Sequence, residues 1–506
     1  MEVSMGRKSF VFSLFMGLLA SLVVIHVYCD DSKIVGLSSR YYDQMNQMQG
    51  LKTSLFRRDL ISIAHSSVTP TPSYDPQVLS TRVYHVIPYG ADPTGKTDST
   101  KALLRAISDA FVSVNDKVLM QGIKDLGGAE IHLQGGSYLI SSPLRLPSSG
   151  GGNLLIHGGT LRASDDFPTN RYLIELSTSA SSALSTTKVK KQSAHSSMEE
   201  NLSVSSYTYE DITIKDLMLD SNYRGGGISV INSLRTTIDN CYIVHFTTNG
   251  VLVQSGHETY IRNSFLGQHI TAGGDHNERN FSGTGINLMG NDNAVTDVII
   301  FSAQIGVMVS GQANVLTGVH CYNKATGWGG TGIYLRLPGL TQTRIINCYM
   351  DYTGIVAEDP VQLHISNSFF LGDAFIVLKS IKGVINGVNI VDNMFSGSGK
   401  GIDIVQINGN FGNIDQVVID RNNARGMNLK ATVARGFTQG NETSWSVDFN
   451  RVLLFPNRIR HVQYSLSTSE SFPNHALRNV SGNRVLVESN VAVPADVYVT
   501  VDQGLN

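Results

Sequence analysis

Two groups of residues have types and spacings suited to chemistry. In the first, Gly90, Gly95, Lys96 and Thr97 satisfy G-x-x-x-x-G-K-[ST] within YGADPTGKTDSTKALL. That pattern lets backbone N–H groups cradle phosphates while a lysine reaches the terminal ones. The second group is spread along the chain: Asp292, Glu358 and Asp359, with Arg336, Lys379 and Tyr334. Carboxyl groups at a fixed separation can exchange protons with a substrate, guanidinium and ammonium groups hold anions, and a tyrosine ring offers a flat contact face. Which group matters depends on the elements that place them.

Those elements repeat. GISVIN from Gly227, GVLVQS from Gly250, GINLMG from Gly285, GVMVSG from Gly306, GIYLRL from Gly332, GIVAED from Gly354 and AFIVLK from Ala374 each pair a small residue with alternating apolar positions. GIDIVQ from Gly401 extends the series. Each reads as a short strand with one buried face. A second element keeps the same phase: NCY at Asn240, NSF at Asn263, HCY at His320, NCY at Asn347, NSF at Asn367 and NMF at Asn393. Short strands recurring every ~20 to 25 residues indicate a parallel β-solenoid, in which stacking buries faces that no single coil can bury. The asparagines are placed to bond neighbouring coils. STKALLRAISDAF, apolar at Leu103, Leu104, Ile107 and Phe111, reads as a helix lidding the first coil. The expected organisation is a signal peptide over 1–29, an extension over 30–82, a β-helix over 83–435 with a serine-rich insertion at 177–206, and a small C-terminal β region over 436–506.

Arg7 and Lys8, the apolar run after them and the small residue Cys29 describe a secretory signal peptide; an uncleaved signal anchor is the rival. Asn201, Asn280, Asn441 and Asn479 head N-x-[ST] glycosylation sequons. Of four cysteines, three remain after cleavage, and they read as buried small apolar residues rather than a disulfide framework. Charged residues are 16% of the chain and the formal net charge is −2, so bulk charge favours neither nucleic acid nor an anionic membrane. A secreted monomer is expected, with no membrane contact after cleavage.

The stretch VIPYGADPTGKTDSTKALLRAI followed by GGAEIHLQGGSYLISSPLRLP resembles the opening of pectin-lyase-like right-handed β-helix proteins. The whole mature chain is most similar to the Quartet-type polygalacturonases of plants. The resemblance implies an all-β, right-handed parallel β-helix and hydrolysis of galacturonan in the wall, that of the pollen mother cell included. It also recasts the phosphate-loop pattern as a turn: Pro93 lacks an N–H, and Asp98 or Ser99 can cap the following helix. Nucleotide is therefore not an expected partner. The series N-T-D, D-D, G-H-G and R-I-K of typical polygalacturonases is absent, so no catalytic residue is carried over by motif.

Glycoside hydrolysis ordinarily uses two carboxyl groups, ~6.5–9.5 Å apart in inverting enzymes. Counting from each repeat glycine, Asn287, Tyr334, Arg336 and Glu358 face outward, with Asp292, Asp359 and Lys379 just beyond. The expectation is catalysis by Asp292, Glu358 and Asp359, with Arg336, Lys379 and Tyr334 binding pectic polysaccharide. In the same count, Arg336 stacks on Glu358 and Asp359 on Lys379, which also suits a purely structural charge ladder. Asp220 reads as a turn residue, and Asp275, His276, Glu278 and Arg279 lie in a long insertion that could wall the cleft, with His257 and Glu258 as similar cases. No cofactor or metal is expected. A lyase would need Ca²⁺ held by several carboxylates, and no such cluster stands out; a wall-binding protein without chemistry is the third reading.

Overall fold

The computed structural model describes residues 82–112, 117–177, 207–268, 282–322, 328–470 and 472–504. The expected signal peptide, the extension to residue 81, Asn201, Asn280, the serine-rich insertion from 178 on, and Asp275, His276, Glu278 and Arg279 lie outside the described residues.

The chain forms a parallel β-helix with three strands per coil. One coil runs Thr284–Leu288, Ala294–Thr296, Ile299–Phe301; the next runs Ile305–Val309, Val315–Thr317, His320–Tyr322. The glycine-led strands stack into a ten-stranded sheet, here sheet I. The second and third strands of each coil form faces II and III, joined into one 23-stranded sheet by long strands such as Tyr209–Asp220. Alternation sets the core: Ile286, Val307, Ile333, Ile355 and Ile376 pair in one inward column, all buried, while Asn287, Met308, Tyr334, Val356 and Val377 form the outward one.

The recurrent glycine marks where coils nearly touch. A Cβ on Gly285 would meet the Gly306 carbonyl at 2.6 Å, and one on Gly306 the Gly332 carbonyl at 2.4 Å. Beyond Gly354 the column is occupied by Phe375, not Ala374, because Ile355 pairs with Ile376. The strand is thus one residue later than the small residue suggests. Lys379 consequently pairs with Glu358, not with Asp359.

Single left-handed residues turn the corners. Between faces II and III they are Asn240, Asn263, Asp297, Gly318, Asn347, Asn367 and Asp392, with φ of 49° to 64°. Asn240 and Asn263 donate to Asp216 and Asp239 outside the barrel. Those bonds join adjacent coils on the outside; inside, the next residue joins them: the Cys348 N–H donates to Ser368 Oγ, the Ser368 N–H to Asn393 Oδ1, and the Asn393 N–H to Asn422 Oδ1. Asn393 is therefore in register with Ser368, one place on from the NSF asparagine.

The helix α1, Thr100–Ala110, covers the N-terminal end with Leu103, Ala106, Ile107 and Ala110 buried. Asp98, not Ser99, caps it, accepting from the Thr100 N–H at 3.0 Å. At the far end, Val433–Asp448, His461–Thr468, His475–Ser481 and Arg484–Asp502 form an antiparallel sheet with its own core around Trp445, Val487 and Val497. Asn441 and Asn479 are exposed on it. Cys241, Cys321 and Cys348 are buried and unpaired, and burial pushes the Cys241 thiol up to about 12 and that of Cys348 to about 11.

Candidate active site

On the outer face of sheet I, Tyr334, Glu358 and Lys379 do meet. The Tyr334 hydroxyl donates to Glu358 Oε1 at 2.6 Å, and Lys379 Nζ donates to the same oxygen at 3.0 Å. Glu358, followed by Tyr334, raises the Lys379 ammonium above its ordinary value. Glu358 is only 7% exposed. The three side chains neutralise one another, so this is a closed cross-strand cluster. Arg336 is exposed beside it, with no side-chain hydrogen bond or ion pair among the described residues.

Asp359 cannot do acid–base chemistry from where it sits. It is fully buried, and its carboxylate accepts from the backbone N–H groups of Ile381, Lys382, Gly383 and Val384. It ties one turn to the next coil. Asp292 stands apart from both: three coil steps of ~4.8 Å put it ~14 Å from Glu358 along the axis, beyond the ~6.5–9.5 Å of an inverting pair.

Asp292 belongs to a different constellation, on the corner leading from sheet I into face II. Arg235, Glu258, Asp292, Ala313, Gln342 and Gln362 occupy that corner with φ between 40° and 59°. The sequence GNDN explains the placement. Asn293 turns inward and is 1% exposed, its Oδ1 accepting from the Thr259 N–H and its own N–H donating to Asn314 Oδ1. That ladder forces the preceding residue outward on every coil. His257 Nδ1 lies 3.0 Å from Asp292 Oδ2, and Arg235 Nε donates to Glu258 Oε2 at 3.0 Å while its Nη1 pairs with Glu210. Because His257 bridges to Asn291, Glu258 and Asp292 are equivalent residues on adjacent coils. Their backbones are ~4.8 Å apart, and outward carboxyl groups that diverge from there can reach an inverting separation. Arg235 escaped the sequence reading, and Glu258 was weighed there only beside the insertion residues and not as a site residue, because the left-handed corner, not the strand, selects them; the recurring inward Asn293 and Asn314 were the available signal.

A groove of about 900 Å³ opens on face II one coil beyond Asp292. Ala313, Gln342 and Gln362 form its edge, Asn347 and Asn367 the opposite edge, and Arg344, His364 and Asn389 its floor. Non-glycine residues in left-handed conformation cost ~1–3 kcal/mol each and persist where the fold over-determines them, often at ligand sites. Here they give the groove an edge that is polar at Gln342 and Gln362 and leads through Ala313 to Asp292.

The phosphate-loop pattern folds as a closed turn. Asp92 accepts from the N–H groups of Thr94, Lys96 and Thr97 at 2.9, 3.1 and 2.9 Å. The chain's own carboxylate fills the cradle.

The sequence over residues 84–330 matches the family model for rhamnogalacturonase A/epimerase, pectate lyase-like proteins. Polygalacturonase QRT3 of Arabidopsis thaliana is 63% identical over 501 residues, covering 98% of each chain. The chain belongs to the family of that polygalacturonase. Among solved structures, ORF18 of Geobacillus virus E2 aligns over 85% of this chain and 81% of its own at 12% identity, with a TM-score of 0.48. An endo-xylogalacturonan hydrolase from Aspergillus tubingensis aligns over 68% of this chain and 92% of its own at 11% identity, with a TM-score of 0.47.

Proposed function

We propose that the protein is a secreted glycoside hydrolase that cuts the α-1,4-galacturonan backbone of pectin in the plant cell wall. The observation that carries this reading is the 63% identity, over nearly the whole chain, to a polygalacturonase. The geometry supports it with two carboxyl groups on adjacent coils at the end of a long groove. Glu258, ion-paired to Arg235, serves as the base that activates water. Asp292, held by His257, protonates the leaving oxygen. A single displacement inverts the anomeric centre. Glu358 and Asp359 have structural duties in this scheme.

Purified full-length protein with de-esterified polygalacturonate tests the reading. New reducing ends without a rise in ultraviolet absorbance mean hydrolysis. New reducing ends with such a rise mean a lyase, and neither signal leaves a wall-binding protein.

A further inference from the structure

We infer that an N-linked glycan on Asn441 lies back across the outer face of the C-terminal sheet and stacks on the ring pair of Phe437 and Tyr498. This rests on the secretory reading and not on catalysis. Arg435, Phe437, Gln439 and Asn441 form one exposed column of the strand Val433–Asp448, while Ala434 belongs to the core of that sheet. Phe437 pairs with Tyr498 of Arg484–Asp502, and Ser465 of His461–Thr468 completes the row. The two ring centroids are 4.9 Å apart, and the residues are 51% and 50% exposed. Their neighbours Val497 and Val499 are buried on the opposite side, as the strand's period of two requires. Half of two aromatic side chains is ~200 Å² of surface. A protein partner covers ~800 Å² per side, so the patch has the dimensions of a short run of sugar rings rather than of an interface.

The sequon is placed to supply those sugars. Asn441 is exposed, and Thr443 falls at the irregularity between Glu442 and Ser444, where the ladder to Arg484–Asp502 breaks. Asn441 pairs with Pro494, four residues from the Phe437–Tyr498 row on both strands. At ~3.4 Å per residue that is ~14 Å, which the first sugars of an N-linked chain span. A groove of about 470 Å³ covers the intervening row, with Gln439, Asn441, Ser467 and Asp496 in its lining. Amide and hydroxyl groups there can pair with sugar hydroxyls. Asp496 is the one charged residue of the described lining, so the groove suits a neutral glycan and repels a uronate. A free wall polymer would also lose translational freedom on binding. A glycan tethered at Asn441 is already held at a millimolar effective concentration, so weak stacking is enough. The attachment itself uses a lipid-diphosphate oligosaccharide of the secretory route. Asn441 Nδ2 bonds to the anomeric carbon of the first sugar as that carbon's bond to phosphate oxygen breaks, and an amide proton and the lipid diphosphate leave.

Full-length protein secreted from eukaryotic cells with glycan trimming blocked carries the same high-mannose chain at every occupied site. Mass spectrometry then gives occupancy, and an endoglycosidase acting on the folded protein gives the rate of release from each site. Asn479, whose strand pairs at Leu486, twelve positions before Tyr498, is the internal comparison. Release from Asn441 should be at least about tenfold slower than from Asn479, the ratio for a chain docked about nine-tenths of the time. Phe437→Ser combined with Tyr498→Ser should bring the two rates together. Thr443→Ala, which removes the glycan and keeps both rings, should raise binding of an apolar dye, and adding the ring substitutions should abolish the rise. An empty Asn441 overturns the inference, and an occupied Asn479 in the same protein then leaves the secretory reading standing. Equal release rates, or slow release from Asn441 that survives the loss of both rings, also overturn it. So does ring-dependent retention of the glycosylated protein on an insoluble neutral β-glucan, which would make a wall polymer the occupant of this face.

Discussion

Asp359 and Asp292 are both acids that follow a repeat strand, and their surroundings separate them. Four backbone donors converge on Asp359, which has no exposed surface. Its replacement by alanine strands those donors, so stability should fall by more than the ~1–3 kcal/mol that one unsatisfied buried group costs, read as a lower melting temperature. Any properly folded fraction should keep its turnover. Asp292 has a side chain 53% exposed and, among the described residues, one side-chain partner, His257. Asp292→Asn and Glu258→Gln should each melt like wild type and lose ~10²–10⁴-fold in kcat, the usual scale for a lost general acid or base. Near-normal turnover in both variants would return these residues to the role of a surface ladder. Glu358→Gln separates the two faces: it should disturb the Tyr334–Lys379 cluster and leave turnover on face II close to wild type.

The coil is the element on which these residues depend, and its corners are where it is most constrained. Within its strands the limit is the approach of the next coil: an added Cβ on Gly306 would lie 2.4 Å from the Gly332 carbonyl oxygen, well inside van der Waals contact. Gly306→Ala should therefore destabilise by ~1–3 kcal/mol through forced backbone movement, read as a lower midpoint in denaturant. At the N-terminal coils, His157 stacks on His132 at 4.6 Å, and His132 is 5.3 Å from His85. Burial, then the charge of His132, with a lesser push from Lys215, lowers the His157 pKa, and Glu130 opposes them. Between that depressed value and the unfolded value of ~6.5, the unfolded chain binds the extra proton. Stability should thus rise with pH across this window and fall on acidification. Denaturant melts between about pH 5 and pH 7 should show a shallower slope in His157→Gln than in wild type.

For the molecule as a whole, the ends of the stack carry the risk. A solenoid whose terminal strands are uncovered can pair with another copy. α1 prevents this at one end by burying Leu103, Ala106 and Ile107. Leu103→Lys should expose that end, and size-exclusion chromatography should show assemblies larger than the wild-type species. The same change should alter the intrinsic chemistry of face II little, because the groove lies many coils away.

The sequence by itself determined the architecture. Period-two alternation, a small residue near the start of each repeated strand and an amphipathic stretch at the start leave a capped parallel β-helix as the way to bury those faces. It also showed Asp98 as a possible cap and the cysteines as core residues, since both depend on neighbours close in the chain. Tertiary structure alone decided which acids share a site. A one-residue shift at Phe375 moved Lys379 from Asp359 to Glu358, because register is set by pairing between coils and not by the spacing of small residues. Left-handed corners placed Glu258 beside Asp292, 34 positions further along the chain, fixed by a bridge between His257 and Asn291. In a solenoid the residues that face one another are a coil apart, and coil length varies with every loop; the sequence gives each residue's phase within its own strand, while only the stacked backbone sets it against its neighbours.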